Sequence, residues 1–146
     1  MSVLLLNGSP HPKGCTYTAL SVVAAQLEKN GIETQMLQLG VKPIQCCIAC
    51  GKCKDTGHCV FNADHVNEAI DLLRAADGFV VGSPVYYAGP NGGVCSFLDR
   101  MFFCKSQPYA FKPAAAVVTS LRWGNFPGMV WLTGTSGSAA PVTRIA

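Results

Sequence analysis

Short, continuous apolar runs recur along this chain, each breaking off into a loop of glycine, serine and proline, with helix-patterned stretches between them. A strand with one wet face alternates apolar and polar residues, so unbroken runs mark strands covered on both faces, as in parallel sheets. Ser2–Leu6 (SVLLL) is the first such run and ends in Asn7-Gly8-Ser9-Pro10. Gly78–Gly82 (GFVVG) and Ala114–Ser120 (AAAVVTS) follow the same plan, while Thr34–Leu39 alternates and reads as a strand by its period of two. Between them, Tyr17–Asn30 places Leu20, Val23, Ala24 and Leu27 on one helical face, with Gly31 where a helix-ending glycine belongs. Asp64 offers an N-cap for a helix through Ala75 with Val66, Ile70 and Leu73 inward. Gly93–Phe103 would bury Val94, Phe97, Leu98 and Met101. Strands alternating with helices in this way predict an α/β fold, a doubly wound parallel sheet with helices on both faces.

Composition narrows the function classes. A chain of 146 residues, 49% hydrophobic and only 13% charged, supports one well-buried domain rather than disorder. The net charge of +3 comes from scattered basic residues, which is no nucleic-acid footprint and suits a small anionic ligand. No apolar run approaches the ~20 residues of a membrane span, and Met1–Leu6 lacks the flanks of a signal peptide. The expected location is the cytoplasm, with no membrane and no nucleic-acid partner. Eight cysteines in that setting read as metal, redox or buried thiols rather than a disulfide framework.

Three loops follow apolar strands: 7–18, 83–93 and 120–125. Ligands of open α/β sheets bind beyond the carboxyl ends of strands, where strand order reverses. The first loop supplies hydroxyls on Ser9, Thr16 and Thr18, backbone N–H groups near Gly14, the cation of Lys13 and the start of a helix. A helix N-terminus carries about half a unit of positive charge and open N–H groups, which favours phosphate. The spacing excludes a Walker loop, since the glycines stand one residue too far apart and Lys13 precedes Gly14; Ser9-Pro10 breaks a dinucleotide fingerprint. A thiol-phosphatase loop is excluded because the first arginine is Arg74. The alternative is an ordinary capped loop. The second loop sets Tyr86 and Tyr87 beyond a buried strand, suiting a flat ligand with polar edges. These rings could instead cap the core or face a subunit. The third adds Arg122, Trp123 and Gly124.

The segments NGSP-x-x-x-G-x-T, GSPVYY, FLDRMF and KPAAAVVTS, spread over residues 2–125, resemble the flavodoxin-like NADPH-dependent FMN reductase and iron–sulfur flavoprotein family. The resemblance implies a flavodoxin-like fold and bound FMN. It assigns Ser9, His11, Gly14, Cys15, Thr16 and Thr18 to the phosphate. It assigns Pro84, Val85, Tyr86 and Tyr87 to the ring, together with Ser120, Arg122 and Gly124. His11 stands where an arginine is common in the family, and Cys15 where an asparagine is common.

Cys47-x-x-Cys50-x-x-Cys53, followed by Cys59, has the spacing of a ferredoxin-type [4Fe–4S] ligand set; structural zinc more often uses two separated knuckles. The same spacing resembles iron–sulfur flavoproteins, in which a cluster relays electrons from a ferredoxin to FMN. A lid or interface without metal is the competing role, and Cys46 beside Cys47 leaves ligand identity open. Cys95 and Cys104 read as buried thiols, and His58 and His65 as surface or capping residues.

Residues 1–125 are therefore expected to form the FMN-binding domain, with a cysteine-rich insertion at 46–59. Residues 126–146 depart from the family: Met129–Thr133 suits a last strand, but no closing helix follows, so the fold is trimmed, the tail is altered or part of a native chain is absent. Met101, Phe102, Phe103 and Trp123 would then be candidates for a contact in a homodimer or higher homo-oligomer. The expected activity is electron transfer from NAD(P)H through FMN to a small acceptor such as a quinone or flavin, with no catalytic side chain because the flavin carries the chemistry. The alternatives are a ferredoxin-linked iron–sulfur electron carrier and a non-catalytic metal-binding module.

Overall fold

The computed structural model describes residues 1–87, 89–104, 109 and 111–121. In chain order they form β1 (Ser2–Asn7), α1 (Cys15–Lys29), β2 (Glu33–Gln38), α2 (Cys53–Thr56), α3 (Val66–Ala75), β3 (Gly78–Pro84), α4 (Gly92–Phe103) and β4 (Ala114–Thr119). The strands make one sheet of order β2-β1-β3-β4, every pair parallel. Among the described residues the four strands and three long helices expected from the sequence are present, with ends displaced by one or two residues. Strand order reverses between β1 and β3, so the sheet has its switch point where two of the expected ligand loops begin.

The unbroken apolar run of β1 follows from its two covered faces. Leu4 and Leu6 enter the larger core with α3 and α4, whereas Leu5 meets Leu20 of α1 and Val80 of β3 on the other side. Each such leucine contributes roughly 1.5–3 kcal/mol on burial. The edge strand β2 keeps its alternation because only Leu37 is fully buried. At the end of α1, Gly31 takes φ +74° and lets Asn30 and Gly31 donate to Leu27 O and Glu28 O.

Two expectations change in detail. The N-cap position of α3 belongs to His65, and no side-chain cap bond forms there. Asp64 Oδ1 still accepts from Val66 N at 3.1 Å, but the carboxylate is chiefly engaged with Arg100. A buried guanidinium competes more strongly for a carboxylate than a helix N–H does. Met101 is fully buried and so cannot lie in a subunit contact; Phe102 packs edge-on against Phe79 and Tyr109. Phe103 is exposed, Cys104 is buried and Cys95 is half-buried. His58 and His65 take surface partners, Asp71 at 2.9 Å and Glu68 at 2.6 Å.

Lys112, just before β4, closes the far end of α3 by donating from Nζ to Leu73 O at 2.8 Å, Arg74 O at 2.9 Å and Ala76 O. Its charge also opposes the negative end of the helix dipole. Lys112→Met keeps the stem and is expected to lower stability by about 1–2 kcal/mol, read as a lower urea midpoint at constant slope. An unchanged midpoint would mean that water replaces the ammonium without loss.

No helix among the described residues is long and apolar enough to cross a membrane. The strand expected at 129–133 and the tail at 126–146 lie outside the described residues.

Candidate functional site

At the switch point the chain leaves β1 through a tightly wired turn. Gly8 N donates to Gly82 O at 2.8 Å, and a Cβ at Gly8 would lie 2.1 Å from Val94 Cγ2 and 2.6 Å from that carbonyl. Only glycine lets β1, β3 and α4 come so close. Asn7 Oδ1 accepts from Ser9 N at 3.2 Å, and Ser9 Oγ accepts from His11 N at 3.1 Å. Gln38 Nε2 donates to Ser9 O at 2.6 Å.

The turn delivers the chain to α1, whose cap residue is Gly14. No side chain among the described residues caps this end, and its first turn holds no acidic residue. The opening N–H groups and the positive helix end are thus available to an anion beside Ser9, His11, Gly14 and Cys15. The structure gives the two threonines other bonds. Thr16 is buried with its Oγ1 2.8 Å from Thr119 Oγ1, tying α1 to the end of β4. Thr18 Oγ1 donates to Gly14 O at 3.3 Å.

The loop after β3 is joined to the first by a residue the sequence reading passed over. Asn91 Oδ1 accepts from Gly93 N at 2.9 Å and so caps α4, while its Nδ2 donates to Gly8 O at 3.0 Å and its N–H to Ser83 Oγ at 3.0 Å. An asparagine just before an apolar-periodic segment is an N-cap signal; its second bond, to Gly8, has no local signature. Pro84 and Val85 are half-buried, and Val85 N donates to Thr119 O at 2.8 Å. Tyr86 and Tyr87 are 64% and 94% exposed, which rules out a core-capping role. Tyr86 borders an open cleft of about 390 Å³ together with Pro10, Leu39, Lys42, Asn91 and Gly93. Ser120 follows β4 and is half-buried; Arg122 and Gly124 lie outside the described residues.

The cysteine segment forms a second centre. Cys47, Cys50, Cys53 and Cys59 line one small cavity with Phe61 and Arg100. Positive φ angles at Ala49, Gly51 and Gly57 let the chain coil around it. Cys46 does not join this lining, and its Sγ lies 3.2 Å from Ser96 Oγ, which separates it from its neighbour Cys47. None of the eight cysteines is in a disulfide. Burial, reinforced by the neighbouring Cys104, pushes the Cys53 thiol above its ordinary pKa. Among the described residues no three His, Cys, Asp or Glu side chains converge closely enough to share one metal ion. A cube asks for a wider spread, because each thiolate binds a different iron; four thiols around one cavity are the donor type such a cluster takes.

Arg100 of α4 lies beneath this segment, its side chain fully buried. Nε donates to Cys59 Sγ at 3.2 Å, and Nη1 donates to Gln45 O at 3.2 Å and to Asp64 Oδ2. Nη2 donates to Phe61 O at 2.8 Å and Asp64 Oδ1 at 3.1 Å. A guanidinium has five N–H donors, and each finds an acceptor here. Burial by itself would lower its pKa, but the bonds to Asp64 and Cys59 outweigh that and raise it.

Comparison with known proteins gives the family of the chain. The chain is 35% identical over 100 residues to an iron–sulfur flavoprotein of Methanocaldococcus jannaschii, covering 68% of this chain and 51% of that protein. An iron–sulfur flavoprotein of Archaeoglobus fulgidus is 31% identical, with coverages of 77% and 49%. An NADPH-type FMN reductase of Pseudomonas putida is 28% identical, with coverages of 69% and 47%. The chain thus spans about half the length of these relatives. Among solved structures, the apo form of an NADH:FMN oxidoreductase superposes with a TM-score of 0.66 at 23% identity, covering 92% of this chain and 67% of that one, which shows the shared fold. A family model described as NADPH-dependent FMN reductase matches residues 1–126, a stretch that takes in both strand-end loops and the whole cysteine segment, and to that family this chain belongs.

Proposed function

We propose that this chain binds FMN at the switch point and serves an NAD(P)H-dependent oxidoreductase that reduces a small acceptor such as a quinone or free flavin. The observation that carries the reading is the uncapped, acid-free start of α1 placed beside two exposed tyrosines at the strand ends. When bound, FMN supplies the acceptor for a hydride and passes the electrons on. The protein's part is binding and orientation. The α1 N–H groups and Ser9 would hold the phosphate dianion, and the loop from Pro84 to Tyr87 would hold the ring edge. The Asn91–Gly8 bond keeps the two loops in register.

Equilibrium titration with FMN and anaerobic bleaching of the flavin by NADPH test this reading, and failure to take up FMN would overturn it. Tyr86→Ala is expected to raise the FMN dissociation constant roughly tenfold, about 1.4 kcal/mol, the scale of a lost aromatic contact. An unchanged constant would move the ring away from this loop.

The four-thiol cavity favours a second reading, in which the same flavin domain carries a [4Fe–4S] cluster on Cys47, Cys50, Cys53 and Cys59 and exchanges electrons with a ferredoxin. Iron and acid-labile sulfide in anaerobically purified protein separate it from the first. We also propose a homo-oligomer, since Phe111 and Leu121, on either side of β4, are 95% and 98% exposed and a subunit contact would cover them. A monomer mass by light scattering would exclude it.

A further inference from the structure

We propose that Arg100 is the positioning residue of the four-cysteine pocket: it holds the cysteine segment in the shape a [4Fe–4S] cluster needs and, through its Nε–H bond to Cys59 Sγ, raises the reduction potential of that cluster. The inference rests on the cluster reading above and goes beyond it, because it assigns the tuning to a residue that is not a ligand.

Three observations carry it. First, among the described residues all the hydrogen-bond partners of Arg100 belong to the connection between β2 and α3: Gln45 precedes the first ligand, Cys59 is the last, and Phe61 and Asp64 follow it. One side chain therefore gathers both ends of the ligand segment. Second, the arginine is rooted in α4, whose Val94, Phe97, Leu98 and Met101 are all buried, so the donor is fixed by the core and not by the loop it organises. Third, the guanidinium has a planar fork with donors in set directions. The Nη groups hold Asp64 and two carbonyls, which leaves Nε pointed at sulfur.

A general stabilising arginine needs no sulfur partner, whereas this one donates to the sulfur of a proposed ligand. Hydrogen bonds to cluster sulfurs are among the terms that set iron–sulfur potentials. The direction follows from charge. Reduction adds an electron to the cluster, and an N–H dipole aimed at a ligand sulfur stabilises that added charge, so the bond raises the potential. Asp64 works the other way, because its carboxylate neutralises the guanidinium beside the same site.

The two groups thus make opposite predictions, which a purely structural role would not. The test uses the full chain, loaded anaerobically with ferrous iron and sulfide, and reads iron content, the rate of iron loss to a chelator and the cluster midpoint by a redox titration. Arg100→Lys keeps a cation but cannot fill five directed bonds. It is expected to lose iron roughly tenfold faster, the usual scale for removing a residue that supports a metal ligand, and to shift the midpoint negative. Asp64→Asn keeps an oxygen acceptor and is expected to shift the midpoint positive. Should Arg100→Lys fail to fold, an unchanged or negative midpoint in Asp64→Asn overturns the proposal by itself. Wild-type iron retention and midpoint in Arg100→Lys, or shifts of the same sign in both variants, would overturn the proposal. A wild-type chain that takes up no iron and sulfide would overturn the cluster reading and this inference together, whereas a loaded wild type with an indifferent Arg100→Lys would sink the inference alone.

Discussion

Gly8→Ala is expected to lower the unfolding free energy by about 3 kcal/mol, the upper range for forcing atoms into a packed site. The new methyl would stand 2.1 Å from Val94 Cγ2 and 2.6 Å from Gly82 O. The valine could rotate away, but the carbonyl belongs to β3 and accepts the Gly8 N–H bond, so relief requires the two central strands to part. The measurement is a urea transition, with the midpoint falling and the slope unchanged if the folded state stays compact. Gly92→Ala, in the first turn of α4, is the matching control. A Cβ there meets nothing within 4 Å, so alanine should be neutral or add up to about 1 kcal/mol through the unfolded chain. Equal effects of the two substitutions would show that the close approach of β1, β3 and α4 carries no energetic weight.

Asp64→Ala should cost more, roughly 3–5 kcal/mol, because it leaves a buried guanidinium without its counter-charge. The side chains of Arg100 and Asp64 are 0% and 8% exposed. Arg100→Met should cost a similar amount for the mirror reason. The double variant Asp64→Ala/Arg100→Met should fall well short of the sum, since neither charge is then stranded, and that shortfall is the coupling between the two. Urea unfolding of the iron-free protein reads all three. A loss below about 1 kcal/mol for Asp64→Ala would place the pair among surface bridges of little weight.

The sheet was legible because continuous apolar runs such as Leu4–Leu6 have few ways to be buried other than between two helical layers. The helix α2 was not, since one turn at Cys53–Thr56 is too short to show a period. In the site, what was legible is what is local: the open loop before α1, the tyrosines after β3 and the cysteine spacing. What escaped depends on distant partners. Arg100 reads in sequence as one more residue of an amphipathic helix, and its acceptors lie 36 to 55 positions away. Asp64 carries a local N-cap signature, and a tertiary ion pair claimed the carboxylate. Thr16 shows in sequence only as a hydroxyl at a helix start, and its bond to Thr119 spans 103 positions. Adjacent Cys46 and Cys47 cannot be told apart by spacing, only by which of them the coiled backbone turns into the cavity.

The helix α4 also has a mechanical consequence. Its cap, Asn91, grips the turn at Gly8, and Arg100, further along the same rod, grips the cysteine segment. At 1.5 Å of rise per residue the two grips are separated by roughly 13 Å along the axis. The helix therefore acts as a strut. Changing the distance between the two loops means stretching or bending hydrogen-bonded helix, a far stiffer spring than either loop alone. Thermal motion should carry the two loops together as one body, and whatever passes between them meets a gap of constant width.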